Sequence, residues 1–461
     1  MVKVQSLGQL KAPGHEAHRH AAEREHQMDL NTLMVLTLVG MLAAIFIGLH
    51  IALVLGATAL VGTYFIFSDV YLASAQVGGA AYELVRHYIF ATIPLFILMG
   101  DFVAQSGAAG DLYKIINRAF RGIPGRLAAA TVAGNAAFAA VTGTSIASAA
   151  AFSRIAYPEM KRYGYKRTFA LGSIAGSACL GMLIPPSVLL IVWGIITEQS
   201  IGKLFVAGIG PGLVLVILFI AYTTITAIRN PDIAPDGSAE EATEPFTRSE
   251  LIGAFGILLL IILVLGGIWG GLFTSTEAAG AGALGALVLA IIKGMRWRGI
   301  LRVILEAGKT AAPIMILLVC AGMYSRFLAL GGIIDIIREA LNSIGLGPGG
   351  IIVMMVVIWL LLGMLLDSIS IILLTVPIFA PLAVGVDPYA FAIFGILAIE
   401  AGLLTPPFGL VVFVVKGTVP DPDVTLSDIF RGSIPYWLLM LLTMAIVFTF
   451  PELASWLTKF V

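Results

Sequence analysis

Two proline pairs, each inside a long apolar segment, restrict the fold of this chain more than any other feature of its sequence. The pair Pro185-Pro186 lies within residues 168–197, and the pair Pro406-Pro407 lies within residues 390–416, 221 positions later. Adjacent prolines remove two backbone donors and clash with the preceding helical turn, so each pair predicts a broken helix. Lipid cannot satisfy the freed polar groups, so such a break must be buried in protein or line a polar cavity. Two broken helices in corresponding positions are typical of a transporter binding site.

The composition supports a membrane location for these segments. The chain has 461 residues, of which 59% are hydrophobic and 12% are charged, whereas soluble domains carry about 25% charged residues. Uncharged runs of about 20 residues therefore predict an all-α polytopic membrane protein in contact with the lipid bilayer. The formal net charge is zero, which predicts no nucleic-acid partner. Cys179 and Cys320 lie in apolar segments and have no disulfide or metal-ligand spacing.

A charge-free stretch, residues 127–153, lies between two basic flanks. Positively charged loops stay in the cytoplasm, so both ends of this stretch are expected on the same side of the membrane. Its 27 residues are too few for two full crossings, which need about 40. We therefore predict a re-entrant hairpin at about residues 125–160, with its turn near residues 142–145, where Gly143 permits the reversal.

The second half of the chain repeats the landmarks of the first. Residues 313–317 match residues 94–98 at an offset of 219 positions, close to the 221 that separate the proline pairs. A second re-entrant hairpin is predicted at about residues 347–384, and no Lys or Arg occurs from 341 to 387, so its base is expected outside. The opposite charge bias at the two hairpins predicts an inverted repeat.

These landmarks predict the organisation of the chain. Residues 29–228 form the first repeat, residues 229–250 a polar cytoplasmic linker, and residues 251–461 the second repeat, which ends in a last span at 434–450. Residues 1–28 are polar and contain four histidines, His15, His18, His20 and His26. A histidine cluster without a fold is a compositional signal only, so a disordered extension is favoured over a metal-binding tail.

Few side chains in the hairpins and breaks carry chemistry. Asp367 is the one charged residue between Glu339 and Asp387 and lies at the predicted turn of the second hairpin. An ionisable residue at membrane depth is functional by default, although it is also suited to capping a half-helix N-terminus. Hydroxyls at both tips and breaks add hard oxygen ligands, which suit Na⁺ better than a transition metal. The candidate substrate-binding hydroxyls are Thr144, Ser145, Ser148, Ser187, Ser368 and Thr405.

Three further acids lie within or beside apolar segments. Glu400 lies about one turn before the second break, where it can orient carbonyls through a hydrogen bond or carry a proton, and the sequence leaves both roles open. Asp101 and Glu277, each within or at the end of a span, are expected to hold neighbouring helices together. The sequence contains neither a glycine-rich phosphate loop nor a His-Glu-x-x-His or Ser/His/Asp pattern, which argues against an ATP-driven pump and against an enzyme.

Four motifs together resemble the large membrane subunit of TRAP transporters (tripartite ATP-independent periplasmic transporters). The likeness runs from about Asp29 to the C-terminus, and the motifs are Val141–Ser148, Gly181–Ser187, Gly271–Ala279 and Gly402–Gly409. The resemblance implies an elevator-type secondary transporter of the ion-transporter fold, located in the bacterial inner membrane as a multi-pass protein. It also implies a Na⁺ gradient that drives import of an organic acid, for example a C4-dicarboxylate, with no other cofactor.

The same resemblance implies partners and ion ligands. A periplasmic binding protein would deliver the substrate, and a small four-helix membrane subunit, expected as a separate chain, would complete the permease. One Na⁺ site would use Gly143, Thr144 and Ser145 with Ile184, Pro185 and Pro186. The other would use Gly363 and Asp367 with Thr405 and Pro406. Ser275 departs from the proline that is frequent in the family at that position.

Other functions remain open at this stage. One is a stand-alone Na⁺- or H⁺-coupled dicarboxylate carrier of the same broad fold, which works without a binding protein; Glu400 keeps proton coupling open. A membrane-embedded enzyme or a pure scaffold subunit is less consistent with the sequence, because a scaffold has no use for costly helix breaks. The sequence does not specify the organic acid, the ion stoichiometry or the oligomeric state.

Overall fold

A computed structural model describes residues 32–235 and 246–460, and within these residues the chain is α-helical with no strand. The predicted all-α class is therefore confirmed. The N-terminal tail at 1–28 and the centre of the predicted linker at 229–250 lie outside the described residues. In the part of the linker that is described, a 3₁₀ turn occupies Pro231–Ile233, and a new helix begins at Arg248 behind a Thr247–Glu250 capping box.

The helix bounds place every break that the sequence predicts. In chain order the helices are α1 (Thr32–Phe46), α2 (Ile51–Phe67), α3 (Val70–Arg86), α4 (Thr92–Gln105), α5 (Ala108–Ala119), α6 (Arg126–Thr142), α7 (Ser145–Arg162), α8 (Arg167–Ala178), α9 (Val188–Thr197), α10 (Ile201–Arg229), α11 (Arg248–Ile261), α12 (Gly267–Trp269), α13 (Ser275–Ile292), α14 (Trp297–Leu330), α15 (Ile333–Ser343), α16 (Pro348–Gly363), α17 (Ser368–Leu382), α18 (Pro388–Gly402), α19 (Leu410–Thr418), α20 (Leu426–Thr449) and α21 (Glu452–Ser455). A π turn, Ile262–Gly266, joins α11 to α12.

Both proline pairs interrupt helices. The first break separates α8 from α9 and contains a 3₁₀ turn, Cys179–Met182, followed by the Pro185-Pro186 bond in the cis form. The second break separates α18 from α19 and contains the cis Pro406-Pro407 bond. Both predicted broken helices are confirmed, within two residues of the predicted ends.

Both hairpin turns also lie where the sequence predicts them. Helices α6 and α7 are joined by Gly143 and Thr144 alone. Helices α16 and α17 are joined by residues 364–367, which end in Asp367. Each hairpin is therefore a pair of helices of 15 to 18 residues around a short tip. The element order hairpin, then broken helix, occurs in both halves.

The described residues form two compact units. One contains residues 32–83 and Cys320–Ile344; within it, Gly62 lies against Phe327, where a Cβ would come 2.1 Å from the ring. The other unit contains the remaining described residues and thus both hairpins and both broken helices. Within the described residues, six helices are long and apolar enough to cross a membrane, or up to seven if α15 and α16 count as one span.

Helix α8 and helix α20 pack in the second unit through two glycines. A Cβ built on Gly432 would lie 2.0 Å from the carbonyl oxygen of Thr168, and one built on Gly172 would lie 2.1 Å from that of Gly432. The two backbones are therefore in direct contact, which is how small residues allow membrane helices to approach closely.

Replacing Gly432 with alanine is expected to destabilise the protein by about 1–3 kcal/mol, because the added methyl group must push the two helix backbones apart. The measurement is the melting temperature in detergent. Gly280, in α13, has no neighbouring atom within 4 Å of a built Cβ and is the matched control. Alanine at Gly280 is expected to leave stability unchanged or raise it by up to about 1 kcal/mol. Equal melting temperatures for the two variants would contradict the backbone contact.

Candidate functional site

The first hairpin tip lies against the first helix break. The amide of Val188, at the start of α9, donates a hydrogen bond to the carbonyl of Gly143 at 3.1 Å. Gly143 has a left-handed backbone (φ +62°), and a Cβ at this position would lie 2.6 Å from the carbonyl oxygen of Pro186. A Cβ at Gly181, in the break itself, would lie 2.6 Å from the carbonyl oxygen of Thr144. The backbone carbonyl oxygens of the tip and of the break therefore lie close together, in a space that a side chain at Gly143 or Gly181 would occupy.

The second tip and the second break repeat this contact. A Cβ on Gly363 would lie 2.7 Å from the Cα of Gly402 and 2.9 Å from the carbonyl oxygen of Ile399. Gly402 is 221 positions after Gly181, so corresponding glycines of the two breaks each lie against the hairpin of their own half. The glycine that recurs four positions before each proline pair is the feature of the sequence that marks this contact.

Polar side chains cap the second helix of the first hairpin and the second half of the first broken helix. Thr144 caps α7 by accepting a hydrogen bond from the Ala147 amide at 3.3 Å. Ser187 caps α9 by accepting one from the Leu190 amide at 3.3 Å, while its hydroxyl donates to the Met182 carbonyl at 2.5 Å. Each cap lies at the positive end of a helix dipole, where negative charge is stabilised.

Asp367 caps a third half-helix, α17. Its carboxylate accepts hydrogen bonds from the Ser370 amide at 3.1 Å and from the Ser370 hydroxyl at 2.5 Å. The capping role that the sequence suggested is thus present. Asp367 is partly exposed, so its carboxylate remains accessible while it caps α17. The residue is therefore compatible with binding a cation.

Glu400 connects the two hairpin tips. Its side chain is fully buried, with 1% exposure. Oxygen Oε2 accepts a hydrogen bond from the Ser145 hydroxyl at 2.5 Å, and Oε1 accepts one from the Ser368 hydroxyl at 2.7 Å. Ser145 is the first residue of α7 and Ser368 the first of α17. One carboxylate of a broken helix therefore contacts the starting turn of a helix from each hairpin.

The remaining candidate residues differ in their availability. The hydroxyl of Ser148, on α7, is buried and has no hydrogen-bond partner in the structure. The Thr405 hydroxyl donates to the Ala401 carbonyl at 2.9 Å and is partly exposed. Ile184 is partly exposed and Pro185 and Pro186 are buried, whereas Pro406 is exposed. The second break is therefore more exposed than the first.

The donor set fits an alkali cation better than a transition metal. The atoms that converge at both tips are backbone, hydroxyl and carboxylate oxygens, which are the ligands of hard cations. Among the described residues no group of three or more His, Cys, Asp or Glu side chains is placed to hold a metal ion. The four segments of the site, residues 127–153, 168–202, 341–386 and 388–415, contain no Lys or Arg.

Glu277 does not play the role that the sequence analysis gave it. The side chain is exposed and closes a capping box with Thr274, whose amide donates to it at 2.8 Å. The expectation that it holds neighbouring helices together is wrong. The start of α13 is thereby fixed locally, with Ser275 as its first residue.

A second set of polar contacts joins the two halves away from the tips. Asp421, in the loop between α19 and α20, accepts hydrogen bonds from Lys161 Nζ at 2.8 Å and from the Tyr157 hydroxyl at 2.7 Å, both on α7. These bonds, that from Lys161 first, lower the pKa of Asp421 to about 2. Arg167 Nη1 donates to the carbonyl of Asp423 in the same loop at 2.9 Å. No pattern in the sequence predicts these contacts between α7 and the loop.

Replacing Asp421 with asparagine is expected to lower the melting temperature at neutral pH, because Lys161 loses its charged partner. The depressed pKa of Asp421 means that its contribution is present above the ordinary value of 3.8 and is lost as the pH falls towards about 2. The difference in melting temperature between wild type and variant should therefore be constant from about pH 7 to 5 and shrink below about pH 4. Asp423→Asn in the same loop is the control, and a drop of equal size there would contradict the assignment.

The comparisons with known proteins agree with this architecture. Residues 38–453 match the family described as the tripartite ATP-independent periplasmic transporter, DctM component. The chain is 34% identical to the C4-dicarboxylate TRAP transporter large permease protein DctM of Pseudomonas aeruginosa, over 80% of this chain and 86% of that protein. It is 31% identical to the ectoine TRAP transporter large permease protein TeaC of Halomonas elongata, over 93% of this chain and 99% of that protein.

Two more distant similarities extend the picture. The sialic acid TRAP transporter large permease protein SiaM of Vibrio cholerae is 28% identical, over 83% of this chain and 88% of that protein. The solved structure of the YdaH transporter of Alcanivorax borkumensis, described as having an unusual topology, superposes with a TM-score of 0.53 at 14% identity, over 93% of this chain and 98% of that one. The latter likeness concerns the fold alone. Because the family match spans nearly the whole chain, the chain belongs to the large permease (DctM) family of tripartite ATP-independent periplasmic transporters.

Proposed function

We propose that this permease imports an organic acid across the bacterial inner membrane in symport with Na⁺. The observation that carries the proposal is the convergence of two hairpin tips and two helix breaks on a set of oxygen atoms without a Lys or Arg in any of the four segments. Such a site binds cations through oxygen, and it has no side-chain cation with which to hold an anion directly.

The substrate carboxylate in this proposal is held by helix ends, hydroxyls and bound Na⁺. The start of α9 at Ser187 and the start of α7 at Thr144 provide positive dipole ends. One Na⁺ site uses the oxygens around Gly143, Thr144 and Pro186; the other uses those around Gly363, Asp367 and Thr405. Binding of the anion then depends on bound Na⁺, which couples the two fluxes.

The proposal includes an elevator movement. Hairpin tips and broken helices contact one another through glycine-to-backbone approaches, which leave little freedom for a local gate. A set of elements packed in this way moves as a body more readily than it opens internally. We propose that the hairpins and broken helices carry substrate and ions together across the membrane.

The partners follow from the family. Its name states a tripartite periplasmic system, and we propose that this chain works with a periplasmic substrate-binding protein and a small membrane subunit. The relatives are named for different substrates, which are C4-dicarboxylate, ectoine and sialic acid. The permease scaffold is therefore compatible with several substrates, and we assign only the class of organic acids.

Uptake into proteoliposomes tests the proposal. The purified permease is reconstituted with the small subunit and the binding protein, and labelled organic acids are offered with an inward Na⁺ gradient, with equal Na⁺, or with a proton gradient alone. Uptake that needs the Na⁺ gradient and the binding protein is the expected result. Uptake driven equally by protons without Na⁺ would overturn Na⁺ coupling, and uptake that never needs the binding protein would indicate a stand-alone carrier.

A further inference from the structure

Glu400 lies where the two halves of the transport site meet. It follows Cys179 by 221 positions, the same offset that relates the two proline pairs. The Cys179 thiol donates to the backbone carbonyl of Glu400, with sulfur and oxygen 3.8 Å apart. Corresponding residues of a repeat contact each other only near the axis that relates the halves. The first half thus places a thiol, and the second half a carboxylate, at this central position.

The two serines whose hydroxyls donate hydrogen bonds to Glu400 also occupy corresponding positions in the two halves. Ser145 and Ser368 each begin the second helix of their hairpin, 223 positions apart. Each donates to a different oxygen of the same carboxylate. Ser145 follows Thr144 of the first proposed cation site, and Ser368 follows Asp367 of the second. Because Ser145 is itself a candidate ligand of the first site, the Glu400 side chain contacts the first proposed site and lies one residue from Asp367 of the second.

Among the described residues, no side-chain cation balances the charge of this carboxylate. In the described part of the chain Glu400 forms no salt bridge, and the four segments that surround it contain no Lys or Arg. Two neutral hydroxyls satisfy hydrogen bonding but supply no positive charge. Burying an unpaired carboxylate costs several kcal/mol, and a nearby cation offsets that cost.

Resting on the proposed Na⁺ coupling, we propose that Glu400 is a shared counter-charge that makes cation binding at the two hairpin tips cooperative. A cation bound at one tip compensates the negative charge of the Glu400 carboxylate and holds the serine of that tip in one orientation. Because the other oxygen of the same carboxylate holds the other serine, the second tip is oriented as well. Binding at either site then favours binding at the other, by the reciprocity of linked sites. Glu400 acts here as a positioning residue and not as a direct ligand.

Titration of Na⁺ into the purified permease by calorimetry tests the inference without transport. The wild type is expected to bind Na⁺ with a Hill coefficient approaching about 2. Glu400→Gln keeps the shape and removes the charge, and it should weaken Na⁺ binding by at least about tenfold and lower the Hill coefficient to about 1. Glu452→Gln, at an exposed position of α21, is the matched control and should bind like the wild type.

The outcomes separate this inference from the proposed function. A wild type that binds no Na⁺ overturns Na⁺ coupling itself. A wild type that binds cooperatively, together with a Glu400→Gln variant of equal affinity and Hill coefficient, overturns only the shared counter-charge.

Ser145→Ala and Ser368→Ala provide a second measurement if Glu400→Gln fails to fold. Through a shared carboxylate, their combined effect on Na⁺ affinity should differ from the product of the single effects by about threefold or more. Strictly multiplicative losses would overturn the inference.

Discussion

Replacing Asp367 with asparagine is expected to lower Na⁺-dependent uptake by about 10- to 100-fold, the loss that follows from removing one charged oxygen contact of about 1.5–3 kcal/mol. Asparagine is as good an N-cap as aspartate, so the cap on α17 through the Ser370 amide should persist. The melting temperature should consequently stay close to that of the wild type. The measurement combines proteoliposome uptake at several Na⁺ concentrations with thermal unfolding of the same preparation.

Asp387 supplies the matched control for this variant. It caps α18 by accepting hydrogen bonds from the amides of Tyr389 at 3.0 Å and Ala390 at 2.9 Å. Asp387→Asn therefore makes the same chemical change at a helix start away from the tips. If both variants lose uptake equally, the effect belongs to helix capping and Asp367 is not a cation ligand. A higher Na⁺ requirement in Asp367→Asn alone supports the site.

The helix breaks and hairpin turns were predictable because their causes are local. A proline pair cannot continue a helix whatever surrounds it, and the charge-free stretch at 127–153 is too short to cross twice. The structure places the breaks at Pro185-Pro186 and Pro406-Pro407 and the first turn at Gly143-Thr144. Composition alone was sufficient for the all-α membrane class.

The contacts that assemble the site were not predictable from one sequence, because they join distant positions. Glu400 meets Ser145 across 255 residues, and Asp421 meets Tyr157 across 264. No periodicity or spacing encodes such a pair. From the sequence, Glu400 is expected either to make a structural hydrogen bond or to carry a proton, and in the structure it accepts hydrogen bonds from Ser145 and Ser368. The central position of Glu400 follows only when the repeat offset is combined with its hydrogen bonds to Ser145 and Ser368.

Replacing Gly143 with alanine is expected to destabilise the protein and to reduce Na⁺-dependent uptake by at least about tenfold. The left-handed backbone at φ +62° costs a residue with a Cβ about 1–2 kcal/mol. The new methyl group would also lie 2.6 Å from the Pro186 carbonyl oxygen, so the break must move away from the tip. Because that carbonyl lies in the first proposed cation site, the displacement should weaken Na⁺ binding as well as folding.

A variant at Gly107 distinguishes the effect of backbone strain from the effect of the close approach to the Pro186 carbonyl oxygen. Gly107 too has a left-handed backbone, at φ +80°, but no atom lies within 4 Å of a built Cβ. Gly107→Ala therefore carries the backbone strain without the close approach, and a loss of about 1–2 kcal/mol with normal uptake is expected. The further loss in Gly143→Ala then measures the contact between the first hairpin tip and the first helix break. If the two variants lose equal stability and both transport normally, the tip and the break are not held together by backbone contact, and a first cation site built from both has no structural basis.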